Sequence, residues 1–446
     1  MENQDRAAVD WSRVQLFAVR FALVYLVLYN LPFPFGAFPH TGRVAQKYES
    51  LWLKVVPWVG KHVLHLSYEI VTSTNCSGDT TYDYVLVLCL LVLAFAATVL
   101  WYLLDRSHSN YQRIHEWLRS YVRLSIGGAM LMYGAAKIFS MHFPQPNLYK
   151  LLEPLGDYSR MSLLWTFMGA SRAYTVFAGC LQVFCGILLF VPKLTTLGAL
   201  VGLAVFSNIF VLNLGYDLPV KLYSFHVLLA LIFLALPDVR RLFNFFVLNR
   251  IVVPAPETGL FDGRHRNAVA LVAQLMLGGI LACSYLYRAH DFEKGMASRP
   301  PFYGIWMVDE FTLGGKVLPP LWTDESRWQR VVFQFPQKVG IQSMNGSWMG
   351  YWLHGDMEKK TFVMESPNDP KKEFAFTFSN PDSRSLTLDG SDGRDQIRVK
   401  LLRVDEKQFV LLSKDIHWID EDAGLVMDGE CVCDRVKRAG GALSAR

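Results

Sequence analysis

The side chains able to do chemistry in this chain sit inside apolar runs, where a charge or amide is costly unless it has a task or a partner. The segment YVRLSIGGAMLMYGAAKIF carries Arg123 and Lys137. Fourteen residues at about 100° each bring the two to nearly one helix face, about 21 Å apart along the axis. The plain alternative to function is that each snorkels to its nearer headgroup layer. That is the preferred reading for Arg123, which is assigned a structural or orienting role; for Lys137 a binding role is preferred. In YDLPVKLYSFH, Lys221 opens a helix, where the macrodipole disfavours a cation. Asp217 lies four residues earlier and can pair with it. Gln182 lies deep in another run, and Asn208 and Asn213 lie towards the end of a further one. Lys137, Asn208, Asn213, Asp217 and Lys221 are assigned to one end of a helix bundle, with Gln182 deeper. Two lysines and amide donors suit a small anion or a quinone carbonyl.

Other chemistries are weakly supported. His226 is the only histidine well inside a run, so a haem held by two histidines lacks its second ligand, and His226 is read as structural or orienting. His62 and His65, three apart on a surface helix, are read as a solvated face. The seven cysteines form no C-x-x-C or paired zinc spacing, and no metal is expected. Cys431-Val-Cys433 gives a weak redox signal, and Asn75-Cys76-Ser77 matches a glycosylation sequon by spacing alone. There is no phosphate-binding glycine loop, dinucleotide fingerprint or H-E-x-x-H. No covalently bound cofactor is expected. The net charge of +5 forms no basic stripe with interleaved aromatics, so no nucleic-acid partner is expected.

The elements that must position these residues are membrane helices. Hydrophobic residues make up 52% of the 446 and charged residues 19%, against about 25% charged in ordinary soluble domains. A bilayer core needs about 20 apolar residues per helix. Seven segments approach that: 14–34, 83–104, 121–141, 173–192, 194–214, 219–236 and 267–287. Asp217 with Pro219 reads as the cap and first turn of the sixth. Gly198 and Gly202 form G-x-x-x-G, read as close helix packing. Residues 45–71 mix Trp and Leu with Lys and His, which predicts an interfacial helix broken near Pro57. Lys and Arg in the short loops put the N-terminus in the cytoplasm and everything after Arg288 outside.

After residue 300 the pattern changes to strand alternation, with Phe374, Phe376 and Phe378 on one face and Ile397, Val399 and Leu401 on another. Asn345-Gly346, Asn380-Pro381, Asp389-Gly390 and Asp392-Gly393 read as turns. About eight strands predict an all-β domain, an up-and-down sheet or small barrel. The expected divisions are 1–120 (two spans and the interfacial helix), 121–250 (a four-helix bundle), 251–299 (a seventh span and linker), 300–428 (the β domain, extracytoplasmic) and 429–446 (a disordered tail).

YVRLSIGGAMLMYGAAKIF, WTFMGASRAYTVFAGCLQVFCGILLFVPKLTTLGAL and NLGYDLPVKLYSFHVLLALIFLALPDVRRLFNFFVLNR together resemble the DoxX-like membrane proteins. The resemblance covers residues 121–250, roughly 30% of the chain. It implies a four-helix membrane core and, for some members, quinone-linked oxidation of sulfur compounds or oxidant resistance. The family pattern often has Glu where this chain has Gln182. The expectation is an inner-membrane component of a quinone-associated redox system, with a redox or extracytoplasmic protein partner. The alternative is a non-enzymatic binding or assembly protein whose β domain recruits an extracytoplasmic partner or lipid.

Overall fold

Apolar runs become helices in the first 299 residues of the computed structural model, and alternating runs become strands after them. The structure describes residues 12–35, 41–72, 78–105, 112–253, 260–261, 263–297, 299–367, 373–391, 393–413, 426–427 and 430–431. The chain divides into two compact units, Met1–Arg299 and Pro300–Arg446. The sequon at Asn75, the Asp392 of the last turn signal, Cys433 and nearly all of the tail lie outside the described residues.

The helical unit contains α1 (Arg13–Asn30), α2 (Gly42–His62), α3 (Thr81–Leu104), α4 (Gln112–Ile138), α5 (Leu148–Leu152), α6 (Arg160–Ala170), α7 (Arg172–Phe190), α8 (Thr195–Gly215), α9 (Lys221–Ala235), α10 (Val239–Phe246) and α11 (Arg264–Ala297). Six stretches are long and apolar enough to cross a membrane: Arg13–Asn30, Thr81–Leu104, Arg172–Phe190, Pro192–Gly215, Lys221–Phe246 and Arg264–Gly295. They mark the chain as a membrane protein. The expected third span, α4, is not among them. It carries Arg113, Arg119, Arg123 and Lys137, and it packs against α1, α7, α9 and α11. A helix enclosed by protein on several faces does not need the uniform apolar surface that lipid demands.

Glycines bring α4 and α7 into backbone contact. A Cβ on Gly134 would stand 2.8 Å from the Gly179 carbonyl oxygen, and a Cβ on Gly179 would stand 2.8 Å from that of Gly134. Two turns away Gly186 meets the Gly127 carbonyl oxygen in the same manner, at 3.0 Å. Gly198 and Gly202 pack against Leu189 and Leu231, as G-x-x-x-G predicts. Ion pairs tie the helices together at the end away from Lys137. Arg20 of α1 pairs with Asp105 after α3 at 3.5 Å, and Arg119 of α4 pairs with Asp238 after α9 at 3.3 Å. Asp238 also accepts from Thr196 and Arg241.

Two local expectations fail here. Helix α2 runs unbroken through Pro57. Burial of Trp52, Val56 and Gly60 on one face, against α3, outweighs the lost backbone bond. It also ends at His62, so His65, at φ 51°, is beyond the helix and shares no face with His62.

The second unit is a closed antiparallel barrel. Its strands are β1 (Gly304–Leu313), β3 (Trp328–Phe335), β4 (Lys338–Ser343), β5 (Trp348–Asp356), β6 (Thr361–Glu365), β7 (Glu373–Asp382), β8 (Ser385–Ser391) and β9 (Gln396–Arg403), with a two-residue β2 (Lys316–Val317) on the end of β1. Each pairs with the next in up-and-down order, and β1 pairs with β9 to close the sheet. Inward residues such as Trp306, Trp328, Phe362, Phe374, Phe376, Val399 and Leu401 form its core. Eight strands leave room for side chains and little else. Asn345-Gly346 turns as predicted, with Gly346 at φ 86°. Asn380-Pro381 does not: β7 continues to Asp382. Asp389-Gly390 is also strand, and Gly390 lies where a Cβ would strike the Ala375 carbonyl oxygen. It marks a close backbone approach, the other use of glycine in a sheet.

Candidate functional site

The α4–α7 contact carries Lys137 and Gln182 one turn along from Gly134 and Gly179. Helical side chains lean towards the N-terminus, so the Lys137 amine folds back along α4 into the bundle. There its Nζ donates to Gln182 Oε1 at 2.6 Å. Lys137 is 6% exposed and Gln182 1%. Among the described residues no carboxylate pairs with Lys137. The snorkelling alternative is therefore wrong for Lys137, and also for Arg123, which is 2% exposed. Arg123 donates to the Leu189 carbonyl oxygen at 2.7 Å and to Gln274 of α11. It ties α4 to α7 and α11 from inside the bundle and does not reach a headgroup layer.

In front of Lys137 is a cavity of about 410 Å³ between α4, α7, α8 and α9, covered by the 139–170 segment. Its wall is mostly apolar and aromatic, with Tyr133, Phe143, Phe177, Phe206 and Tyr223 prominent. Its polar groups are few: Lys137, Gln182, Asn208, Asn213, Ser224, His142 and the hydroxyls of Tyr133, Tyr174 and Tyr223. Gln182 Oε1 is occupied by the lysine, which leaves the remaining Lys137 hydrogens and the Gln182 amide N–H groups for a ligand. Asn213 donates to Ser224 Oγ at 3.0 Å, which fixes α8 to α9 at the cavity's end. Asn208 lines the wall on α8. Its side chain is on an exposed face, as is Phe177, 58% exposed on α7. The cavity thus reaches the outer surface of the helices between α7 and α8.

Four of the predicted site residues, Lys137, Gln182, Asn208 and Asn213, line this one cavity. Asp217 and Lys221 do not. They form an exposed pair, Lys221 Nζ donating to Asp217 at 2.7 Å, with the Asp217 side chain 78% exposed. That bond holds Asp217 below the usual carboxylate range. The expected cap role of Asp217 falls to Asp79 instead, which accepts from the Lys221 and Leu222 amides at 2.7 and 2.8 Å. His226 lines a different cavity, on the far side of α9. Sequence reasoning missed His142. It stacks on Phe143 at 4.3 Å and lines the Lys137 cavity. Its Nδ1 is buried with no hydrogen-bond partner among the described residues. It sits in the loop after α4, where no periodicity signals it.

A buried lysine with hydrogens to spare, facing a mostly apolar cavity with a route to the bundle's outer surface, defines a candidate site for a lipid-soluble, hydrogen-bond-accepting ligand. Among the described residues no group of three or more His, Cys, Asp or Glu could hold a metal ion. No family model and no solved structure matches the chain. The uncharacterized protein YwoB of Bacillus subtilis (strain 168) is 26% identical over 124 residues, covering 28% of this chain and 79% of its own length.

Proposed function

We propose that the helical unit is a DoxX-like membrane bundle that binds a quinone in the Lys137 cavity and serves a quinone-linked redox system. The observation that carries this reading is Lys137. An ammonium taken out of water costs several kcal/mol unless it is compensated. One amide oxygen compensates only in part, so a bound acceptor group accounts for a lysine kept at this position. The aromatic lining supports a flat ring, and the route between α7 and α8 supports a ligand that arrives through lipid. A free small anion would gain little from either feature.

In this reading Lys137 and the Gln182 amide hold the quinone carbonyl, and Gln182 also orients Lys137. Asn208 stands at the route into the cavity, and Asn213 with Ser224 fixes its far wall. Asp217 and Lys221 have no part in binding. Helix α4 is a seventh span, protected by its neighbours. The Lys and Arg distribution supports a cytoplasmic N-terminus, with the Lys137 end of the bundle and the β-barrel outside. Electron exchange with the bound quinone is assigned to a redox partner. The test is extraction of lipid from the purified protein, with assay for quinone. Quinone carried by the wild type and lost from Lys137→Gln supports the reading. Equal quinone in both, or none in the wild type even after saturation with a short-tailed benzoquinone, contradicts it.

A further inference from the structure

A second cavity, of about 490 Å³, lies between α1, α3, α4 and α9, with Tyr25, Asn30, Ser125 and His226 in its wall. Its polar groups are ordered in one direction. His226 Nδ1 is 2.7 Å from the Leu222 carbonyl oxygen. A carbonyl only accepts, so Nδ1 carries the hydrogen, and in the neutral ring Nε2 is left as an acceptor. Tyr25 Oη stands 2.6 Å from Nε2 and therefore donates to it. Tyr29 stacks on the imidazole at 4.1 Å and holds its plane. Ser125 Oγ donates to Asn30 Oδ1 at 2.7 Å, and Asn30 Nδ2 donates to the Leu26 carbonyl oxygen at 2.8 Å.

Tyr25, Ser125 and His226 Nδ1 thus spend their hydrogens internally, Asn30 Nδ2 keeps its second one, and the hydroxyls of Tyr29 and Tyr223 complete the polar groups of the wall. The free lone pairs of Tyr25 Oη belong to the same wall. Both Tyr25 and His226 are buried, at 9% and 7% exposure. The phenol-to-imidazole bond makes the phenol oxygen a stronger acceptor, because its own proton is drawn towards Nε2. We propose that this cavity is a binding site for a lipid-soluble molecule headed by a hydroxyl group. Its hydrogen is donated to Tyr25 Oη, and its oxygen accepts from Asn30. The site differs from the Lys137 cavity in presenting an oriented acceptor, Tyr25 Oη, in place of a buried ammonium. It stands independently of that reading, since it shares only Tyr223 with the Lys137 wall.

The experiment is equilibrium binding to the full-length protein in detergent, in the wild type and in Lys137→Gln. Three probes are compared: a decyl-tailed benzoquinol, its dimethyl ether, and farnesol. Methylation keeps the quinol's shape and removes its donated hydrogens. In Lys137→Gln at least one hydroxyl probe binds about tenfold more tightly than the ether, and adding Tyr25→Phe reduces it to the ether's level. Binding of the quinol alone identifies a phenolic ligand, and binding of farnesol an isoprenoid alcohol; either supports the proposal. Ether binding equal to both hydroxyl probes overturns it, and so does an unchanged affinity in Tyr25→Phe. If Tyr25→Phe does not fold, the ratio of hydroxyl probe to ether in Lys137→Gln decides alone. Failure of the quinone reading would show separately, as carbonyl binding insensitive to Lys137→Gln.

Discussion

At the scale of single residues, stability and binding should pull in opposite directions at Lys137. Lys137→Met removes a poorly compensated buried charge and keeps the volume. It should raise stability by about 1 to 4 kcal/mol while weakening quinone binding, read as a higher unfolding midpoint in detergent beside a lower affinity. Lys221→Gln should change neither affinity nor cavity, because Lys221 bonds Asp217 at the surface. Sequence depth alone grouped these two lysines. A position near a helix end fixes height in the bundle but not direction, and only packing separates an amine turned inwards from one turned out. Lys137 and Gln182 were legible because polar atoms in an apolar run are conspicuous. Asp79 and His142 were not, since both act from loops that carry no period.

At the scale of elements, the glycine contact between α4 and α7 sets the cavity. Gly134→Ala puts a methyl 2.8 Å from the Gly179 carbonyl oxygen and 2.9 Å from the Val183 amide nitrogen. Backbone cannot yield as a side chain can, so the helices must part. The expected loss is about 1 to 3 kcal/mol, together with weaker ligand binding, both measurable on one purified variant. Asp238→Ala leaves Arg119, Thr196 and Arg241 without their shared acceptor. It should cost about 2 kcal/mol in thermal unfolding without changing the cavity, which lies towards the opposite ends of α4 and α9. The apolar helices were readable from hydropathy because lipid enforces composition. Helix α4 was readable as a helix but not as a polar one shielded by neighbours. Pro57 and Asn380-Pro381 misled for a related reason: the first gave way to burial against α3, and the second is absorbed in an irregularity of β7 between Ser379 and Asp382, both paired with β8.

At the scale of the whole molecule, the chain joins a helical unit that carries the candidate sites to a barrel with its own complete core. Residues 300–413 expressed alone should fold cooperatively, and Phe376→Ala should destabilise that fragment by about 3 kcal/mol, read by denaturant titration. Failure of the fragment to fold would show that the barrel depends on the rest of the chain. The alternating strands announced an all-β domain, but its closure depends on β1 meeting β9. Glu310 and Lys400 bond across that seam from positions 90 residues apart, and no local pattern encodes such a pairing.

Quinone binding in the Lys137 cavity is decided by one comparison. The affinity of a short-tailed benzoquinone is measured on the full-length protein in detergent, for the wild type, Lys137→Gln and Lys221→Gln. Affinity should fall about tenfold or more in Lys137→Gln, the worth of one charge-assisted hydrogen bond, and stay unchanged in Lys221→Gln. Equal affinities in all three proteins, or a loss confined to Lys221→Gln, would contradict it.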